Sequence, residues 1–426
     1  MTDTLRTTDG EQTPDAAPSP GGLLRLFIVI GSIVALAVLT SVSIVVVIAA
    51  IIVMVFFHEL GHYLTAKWAG MKVTEFFIGF GPRVWSFRRG ETEYGIKPIP
   101  AGAYVKIIGM HNLEEVDPED EPRTYRQQPY WRRMSVALAG STMHFIMAFV
   151  LLYGLLVFFE TPRADSREWT VDEVTADSPA ETAGIEPGDR VVAIDGREVA
   201  KFGDLREVIG DRIGETSVVR FERDGRTIER TITIDEHPDD SSRGFLGVSA
   251  DIPEERDGPI EGIGNTFTEF GHIFKESGKA LFSFFSPSSL GDYADKVSTA
   301  GTEDDPVDDR RSTRDRIEDE GNRFLSPVGA VRLGADMADS GLAGLFAFLV
   351  MINIFVGIFN LVPLLPLDGG HVAIATYEKI RSMISGRRYY VDVAKLLPLT
   401  YAVVILLVTI GITALYLDLI DPISLR

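Results

Sequence analysis

Residues 26–57 contain no charged side chain, and this constrains the fold of the chain more than any other feature. As one helix rising about 1.5 Å per residue, the stretch would be roughly 48 Å long, whereas the hydrocarbon core of a bilayer is about 30 Å thick. Leaving large apolar side chains in water costs about 1.5–3 kcal/mol each. We therefore favour a break near residues 40–43 with an additional short span before it, and keep one long tilted helix as the alternative.

Three later apolar runs predict further membrane spans, at residues 136–159, 342–361 and 399–417. A soluble protein can reach 46% hydrophobic residues, but it does not gather them into several long uncharged runs. The sequence therefore predicts a polytopic α-helical membrane protein with four or five transmembrane helices. Because it contains no cysteine, disulfide scaffolds, thiolate zinc sites and cysteine nucleophiles are excluded.

The distribution of charge predicts which loops face the cytoplasm. Residues 67–133 carry 11 Lys and Arg, and residues 371–398 carry five basic side chains against two acidic ones. By the positive-inside tendency, both segments are cytoplasmic in a multi-pass protein of the cell membrane. Residues 160–341 hold 42 acidic and 22 basic side chains, which accounts for the whole formal net charge of −20, and we place this loop outside. We see no basic face that would bind nucleic acid.

A metal-binding pattern ends the first membrane region. On a helix, His58 and His62 share one face and can bind one zinc ion, while Glu59 projects beside them towards a bound water. An ionisable residue near the centre of a bilayer costs about 2.5–3.5 kcal/mol or more, so it is seldom present without a role. A chance coincidence is the alternative. The pattern predicts a metal-activated hydrolase whose site lies near the cytoplasmic face.

Asp368 is the best remaining donor for a third ligand, since a catalytic zinc usually takes three protein ligands and leaves one position open. Two prolines before it and two glycines after it predict broken backbone, which membranes tolerate only when it is buried in protein or lines a watery cavity. By itself, Asp368 could equally be a turn or helix-cap residue. Topology favours the ligand, because His58 and His62 end an inward span and Asp368 follows another inward span.

These motifs resemble the site-2 protease family of intramembrane zinc metalloproteases, particularly its bacterial, actinobacterial-like branch with a PDZ domain between spans. The resemblance runs from about Val53 to Leu417 and includes Asn360-x-x-Pro363 before the Leu-Asp-Gly motif, with glycine-containing segments at residues 79–82, 90–95 and 100–106. It implies one zinc ion per chain, held by His58, His62 and Asp368, with Glu59 as the general base and substrate-positioning residues Asn360, Pro363, Gly79, Gly81 and Gly102.

The chain departs from the family pattern at two places. It has Gly102-Ala103 where two glycines are usual, and the second span reads Gly140-Ser-Thr-Met-His144 where the family tends to have Gly-Pro-x-x-Asn. His144 is therefore either a hydrogen-bonded core histidine or a polar neighbour of the zinc site.

Residues 169–250 are predicted to form a compact mixed α/β domain. Ser178 precedes a proline and has Glu181 three residues later, which predicts the start of a short helix. Two β-rich runs around Asp224-Gly225 predict a hairpin. The order of these motifs resembles a bacterial PDZ domain, which binds extended peptide tails by strand addition. Its groove would be formed by Phe245, Leu246, Gly247 and Val248, and it either binds peptide or acts as a size-selective shield.

Two flanking segments are less specific. Residues 79–109 alternate aromatic or β-branched residues with charges, which predicts an antiparallel ribbon that either holds an unwound substrate or is purely structural. Apolar residues at helical spacing, Ile263, Phe267, Phe270 and Phe274, predict an amphipathic helix that lies in the membrane interface or packs on the PDZ domain.

The predicted organisation is a disordered tail (1–22), a first membrane region with the metal motif (23–66), a cytoplasmic-face β-ribbon and loop (67–133), a transmembrane helix (134–160), the PDZ domain (169–250), an amphipathic segment (251–300), an acidic linker (301–320), a transmembrane helix with the Leu-Asp-Gly motif (342–370), a cytoplasmic loop (371–398) and a last transmembrane helix (399–417). We expect an intramembrane zinc metalloprotease whose partners are the bilayer and pre-trimmed membrane-protein substrates, by family analogy anti-sigma factors or remnant signal peptides. A PDZ membrane scaffold with a structural metal site is the alternative, and a transporter is third. The oligomeric state is left open.

Overall fold

The computed structural model describes residues 40–110, 114–162, 166–237, 240–300 and 324–420. The predicted tail of residues 1–22, the additional span before residue 40 and the acidic linker of residues 301–320 lie outside the described residues. The chain divides into two compact units, residues 1–136 and 137–426.

The helices are α1 (Val42–Trp68), α2 (Tyr130–Phe158), α3 (Pro179–Thr182), α4 (Phe202–Gly210), α5 (Glu261–Phe284), α6 (Pro287–Thr299), α7 (Pro327–Asp339), α8 (Leu342–Asn360), α9 (Asp368–Ser385) and α10 (Leu397–Ile420). Within the described residues, α1, α2, α8 and α10 are long and apolar enough to cross a membrane; α10 is extended by a 3-10 turn at Val393–Leu396. These four helices fit the predicted polytopic membrane protein.

Polar residues set where the first two spans begin. The Ser41 side chain accepts a hydrogen bond from the Ile44 backbone N–H at 3.2 Å and caps α1, so a helix starts within the predicted break. Helix α2 starts at Tyr130, ahead of the predicted residue 134. Its first turn includes Arg132, whose guanidinium donates to the Ala69 carbonyl after the end of α1 at 3.3 Å. Arg132 therefore belongs to α2, although the sequence predicted it in the loop of residues 67–133.

Unit 1 contains the sheet formed by β1 (Val73–Phe80), β2 (Trp85–Arg89), β3 (Thr92–Ile96) and β4 (Ile99–Ile107). The strand order is β2-β3-β1-β4, and β1 pairs with β3 in parallel, so the prediction of an antiparallel ribbon is corrected to a mixed sheet. The β2–β3 hairpin places β3 against β1, where Thr92 Oγ1 donates to the Val73 carbonyl at 2.7 Å. At Gly95, a Cβ would meet the Phe77 ring and the Trp85 carbonyl at 2.5 Å, so only glycine fits between these strands.

The sheet packs against the end of α1 and the start of α2 through one apolar cluster. Its buried residues are Ala66, Ala69, Met71, Val73, Ile107, Tyr125 and Val136. The cluster holds the carboxyl end of α1, and therefore the predicted metal motif, against the sheet.

Eight of the remaining strands build a mixed α/β unit over residues 169–250. They are β6 (Thr170–Val174), β7 (Arg190–Ile194), β8 (Arg197–Glu198), β9 (Thr216–Arg223), β10 (Arg226–Thr233), β11 (Asp235–His237), β12 (Asp240–Phe245) and β13 (Val248–Asp251). Two short strands that pair with each other, β5 (Thr161–Pro162) and β14 (Glu254–Glu255), flank the unit. The sheet β10-β9-β7-β8 contains the predicted β9–β10 hairpin, which turns at Asp224 with φ +51° and Gly225 with φ +71°. The predicted cap is also present, since Ser178 Oγ accepts from the Glu181 N–H at 3.2 Å.

One buried cluster fills this α/β unit. Its largest members include Trp169, Ile194, Leu205, Phe221 and Leu246, which come from β7, α4, β9 and the segments next to β6 and β12. The unit therefore has a hydrophobic core of its own, as an independent domain requires.

Helix α5 packs on the membrane spans. Phe270 and Ile273 contact the buried cluster that α2 and α8 form, and the Phe267 ring lies 4.6 Å from the ring of Phe149 in α2. The apolar residues at helical spacing lie on one helix, and their described contacts are with the transmembrane helices, whereas the two predicted alternatives were the membrane interface and residues 169–250.

Helix α9 occupies much of the segment predicted as a cytoplasmic loop over residues 371–398. The chain leaves α8 at Asn360, follows non-helical backbone through residues 361–367 and resumes a helix at Asp368. The broken backbone was predicted correctly. The two glycines, however, belong to the first turn of α9. The loop packs so closely against this turn that no side chain would fit at either glycine.

Candidate metal centre

The two histidines lie one turn apart near the carboxyl end of α1. Their Nε2 atoms are 3.2 Å apart and their ring centroids 4.8 Å apart. The His58 side chain is 12% exposed and His62 is 8% exposed, so both are largely removed from solvent. The spacing predicted from sequence therefore brings two imidazole nitrogens together at one point.

A backbone carbonyl orients His62. Its Nδ1 lies 2.8 Å from the carbonyl oxygen of Val136, and because a carbonyl can only accept, Nδ1 must be the donor. In the neutral ring this leaves the lone pair on Nε2, the atom next to His58. Metal-binding histidines are commonly held in this way by a second hydrogen bond. The sequence contains no signal for this contact, since any residue supplies a carbonyl.

Asp368 is the first residue of α9, and close backbone packing sets its position. A Cβ on Gly369 would meet the carbonyl oxygens of Leu361 and Val362 at 2.3 Å, and a Cβ on Gly370 would meet the Leu365 nitrogen at 2.7 Å. The loop of residues 361–367 is therefore folded tightly over the first turn of the helix.

One group of His and carboxylate side chains among the described residues has the geometry to hold a metal ion. The ligand atoms of His58, His62 and Asp368 all lie within 4.8 Å of one another. Two imidazole nitrogens and one carboxylate oxygen are donors that suit zinc, and three protein ligands leave one position of a tetrahedral site open.

Glu59 lies beside the two histidines. Its Oε1 is 4.0 Å from His58 Nε2, and its side chain is 16% exposed. A carboxylate at this distance from the ligand atoms can accept a proton from a water held between them. The arrangement has the parts needed for hydrolysis: a metal-ligand set, an open position and an adjacent base.

The predicted substrate-positioning residues occupy two regions. Asn360 is the half-buried last residue of α8, and Pro363 is exposed in the loop that follows. Gly79 and Gly81 have φ +85° and +100° at the end of β1, and Gly102 has φ +151° in β4. Backbone conformation alone accounts for the three glycines, because side chains are strained at these angles.

His144 is buried between α2 and α8. Its Nδ1 lies 2.9 Å from Asn353 Oδ1, and the Asn353 amide also donates to the Leu349 carbonyl at 2.7 Å. This contact favours the first of the two predicted alternatives, a hydrogen-bonded core histidine. Sequence reasoning missed Asn353, although it is the one polar side chain inside the apolar run of residues 342–359 and could have been found on that ground.

The predicted peptide groove residues join β12 to β13. Leu246 is buried, and its carbonyl accepts from the Ala180 N–H at 2.9 Å, while the Gly247 carbonyl accepts from the Thr175 N–H at 2.9 Å. Val248 begins β13, which within the described residues pairs along one edge only, with β6. The other edge of β13 has no strand partner in the part of the chain that the structure describes, as strand addition would require, and Phe245 lies at the end of β12.

Residues 46–304 and 315–406 match peptidase family M50. The zinc metalloprotease Rip1 of Mycolicibacterium smegmatis is 34% identical over 412 residues, covering 88% of this chain and 97% of the relative. Rip1 of Mycobacterium tuberculosis is 32% identical over 410 residues, covering 88% and 96%. A putative zinc metalloprotease of Brucella suis is 30% identical over 356 residues, covering 78% and 85%.

Proposed function

Because this chain belongs to peptidase family M50, the site-2 proteases, and is a zinc metalloprotease, we propose that it cleaves a peptide bond within the transmembrane segment of another membrane protein. The single observation that carries the proposal is the clustering of the ligand atoms of His58, His62 and Asp368 within 4.8 Å, with the two histidines on a helix apolar enough to span a membrane. A hydrolytic site on a membrane-spanning helix can reach peptide bonds of other protein segments that lie in the membrane.

We assign His58, His62 and Asp368 as the zinc ligands and Glu59 as the general base. The chemistry that zinc supplies when bound is a water with its pKa lowered towards about 7 and a polarised peptide carbonyl. Glu59 would accept a proton on its carboxylate from the water that attacks the peptide carbonyl and would pass it to the leaving amine. The Val136 carbonyl keeps the His62 ring in the tautomer that binds metal.

The sheet of unit 1 is the proposed site for holding the substrate. A helical segment must be unwound before a protease can reach its peptide bonds, and an exposed strand edge can hold the unwound chain by backbone hydrogen bonds. Strands β2 and β4 form the two edges of this sheet. Asn360 and Pro363 would orient the substrate backbone near the zinc ligands.

The α/β unit of residues 169–250 is proposed to be an extracytoplasmic PDZ domain that limits access to the site. The sidedness rests on the basic segments 67–133 and 371–398, which we place in the cytoplasm together with the zinc site. Substrates would then be single-span proteins already shortened outside the membrane, such as anti-sigma factors or remnant signal peptides. A PDZ scaffold with a structural metal is disfavoured, because a structural zinc site uses four protein ligands.

The test compares Glu59→Gln with Glu276→Gln, a matched change on the exposed face of α5. Glu59→Gln should retain zinc and lose cleavage by about 10²–10⁴-fold, because general-base catalysis contributes an effect of that size. Glu276→Gln should retain both. Membrane proteins captured by the inactive variant and identified by mass spectrometry would name the substrates. Near wild-type cleavage by Glu59→Gln would refute the assignment of the base.

A further inference from the structure

A pocket that the proposed reaction does not use opens at the end of α1, beside the turn between β2 and β3. It has a volume of about 490 Å³ and is lined by Tyr63, Lys67, Arg89, Gly90, Glu91 and Tyr94. All of these residues belong to unit 1 and none is an assigned zinc ligand or base. The hydroxyls of Tyr63 and Tyr94 are 2.6 Å apart, which joins the helix and the sheet across the pocket.

The pocket carries a net positive charge. Arg123 donates two hydrogen bonds to Glu91, at 2.7 and 2.8 Å, and Lys67 donates a third at 2.6 Å. The hydrogen bonds from Arg123, followed by those from Lys67, lower the pKa of Glu91 to about 2, so this carboxylate stays ionised and its charge is balanced. The charged side chains that line the pocket are Lys67, Arg89 and Glu91, which leaves a net charge of +1, and Arg123 adds a further positive charge behind Glu91.

Arg89 is the cation available to a ligand. Within the described ranges its guanidinium makes no hydrogen bond or salt bridge, in contrast to Lys67 and Arg123. A guanidinium presents several N–H donors in a planar fork that matches the oxygens of a phosphate. The pocket is therefore built to accept an anion, most directly a phosphate group.

An exposed aromatic strip leads into the pocket. Trp85, Phe87 and Arg89 alternate along β2 and so share one face of the strand. Trp85 is 54% exposed and Phe87 is 46% exposed; their ring centroids are 5.1 Å apart, and Phe87 stacks on Tyr94 at 5.3 Å. A ligand that covers this strip must have an apolar part next to its charged group.

The neighbouring end of α1 is typical of the level of lipid headgroups. Trp68, 77% exposed, follows Lys67 where the span ends. Exposed tryptophan and lysine at the end of a span are characteristic of the membrane–water interface.

We propose that this pocket binds the phosphate headgroup of an anionic membrane lipid, with Arg89 and Lys67 at the phosphate and the acyl chain along Trp85 and Phe87. Inorganic phosphate would satisfy the cations and leave the aromatic strip in water, whereas a lipid satisfies both. The proposal is tested separately from the proteolytic function, since none of these side chains is an assigned zinc ligand or base and lipid retention is measured without cleavage.

The test uses the full-length protein in detergent micelles containing phosphatidylglycerol and phosphatidylcholine, with bound lipids counted by native mass spectrometry. Arg89→Gln is compared with Arg88→Gln, which removes the same charge from the adjacent residue on the opposite face of β2. The wild type should retain phosphatidylglycerol in preference to phosphatidylcholine. Arg89→Gln should lower that preference about fivefold, as expected for one cation at a lipid surface, and Arg88→Gln should leave it unchanged.

Two results would overturn the proposal. Equal losses in the two variants would show a general effect of surface charge and no pocket. Displacement of phosphatidylglycerol by excess inorganic phosphate, with equal thermal protection by phosphate alone, would identify a site for free anions. Retention of the lipid in excess phosphate supports the lipid site. Both variants should keep the wild-type melting temperature, since Arg88 and Arg89 are exposed.

Discussion

At the scale of single residues, the donor set distinguishes a catalytic from a structural metal site. The proposed ligands His58, His62 and Asp368 offer three donor atoms, and Glu59 lies next to the histidines without belonging to that group. A structural zinc site is closed by four protein ligands, whereas a catalytic one keeps a position open. A base beside an open position has a purpose only in catalysis, so the residues favour an enzyme over a scaffold.

The first prediction at this scale concerns metal content. The purified wild type should hold about one zinc per chain, and Asp368→Ala and His58→Ala should each lose most of it, because two ligands do not retain the ion. Elemental analysis measures the result. His272→Ala and Asp392→Ala are the matched controls, since both side chains lie on exposed surfaces away from the cluster. A full complement of zinc in Asp368→Ala would remove Asp368 from the site.

The second prediction concerns the pH dependence of the Glu91 ion pairs. Hydrogen bonds from Arg123 lower the pKa of Glu91 from 4.5 to about 2. A carboxyl with a lowered folded-state pKa stabilises the fold above its unfolded pKa and loses this effect as the pH falls towards the folded value. Glu91→Gln should therefore cost about 1 kcal/mol or less near pH 7, the usual size for solvent-accessible pairs, and progressively less below about pH 4.

Thermal unfolding of the wild type and the variant at both pH values measures this difference. Arg123→Gln is the partner change, and the double variant should be little worse than Glu91→Gln alone, because Glu91→Gln already removes both Arg123–Glu91 bonds together with the bond from Lys67. A cost of Glu91→Gln that stays constant down to about pH 3 would contradict the assigned cause.

At the scale of elements, the break between α8 and α9 controls where Asp368 lies. The loop of residues 361–367 packs so tightly on the first turn of α9 that no side chain fits at Gly369. The same contact that ends the span therefore fixes the start of the helix that carries the carboxylate.

Replacing Gly369 by alanine should disturb this element without removing any donor atom. The added Cβ would overlap the Leu361 and Val362 carbonyls, so loop and helix must separate, and misplacement of a catalytic group by about 1 Å can cost as much as 10²-fold in rate. We expect lower zinc content and at least tenfold lower cleavage. Gly411→Ala in α10 is the control, since nothing lies within 4 Å of its position. Normal zinc and cleavage in Gly369→Ala would show that the loop does not set the site.

Sequence patterns predicted those helices, strands and turns that are specified by residues within the element itself. Apolar runs predicted the four described spans, Ser178 predicted a helix cap, and Asp224-Gly225 predicted a hairpin, because each signal lies within the element that it specifies. The parallel pairing of β1 with β3 and the packing of α5 on the spans depend on residues distant in sequence, so periodicity could not decide them.

In the candidate site, too, the sequence predicted the features with local causes and missed those that depend on distant residues. The spacing of His58 and His62 is a helical property and was readable, and topology singled out Asp368. The Val136 carbonyl that orients His62 was not readable, since a backbone group has no sequence signature. The His144–Asn353 contact joins two spans more than 200 residues apart, which one sequence does not reveal.

At the scale of the whole molecule, the α/β unit is an insertion between membrane helices. The segments that lead into and out of the unit are adjacent, since Thr161 pairs with Glu255 and Thr170 pairs with Asp251. A unit with its own core and adjacent ends can be removed without separating the elements on either side of it.

The last prediction uses this arrangement to separate access from catalysis. Deleting residues 169–250 and joining the ends by a short flexible linker should leave zinc content unchanged, because none of the assigned zinc ligands lies in the deleted segment. Cleavage of a short, already trimmed substrate should stay near normal. A substrate with an intact, bulky external domain, which the wild type should reject, should now be cleaved.

The matched control for the deletion is a single change in the predicted groove, and its melting temperature is measured as well because Val248 also pairs with Val174 of β6 and packs on the core of the unit. Val248→Pro removes a backbone N–H at the start of β13, where an added peptide strand would bind. If the unit acts only by its bulk, this variant should behave as wild type on both substrates, whereas the deletion admits the bulky one. Should the deletion variant bind zinc and yet fail on the trimmed substrate, and Val248→Pro fail with it, then the unit presents substrate through its groove, and peptide binding beside Leu246 and Gly247 becomes the better account.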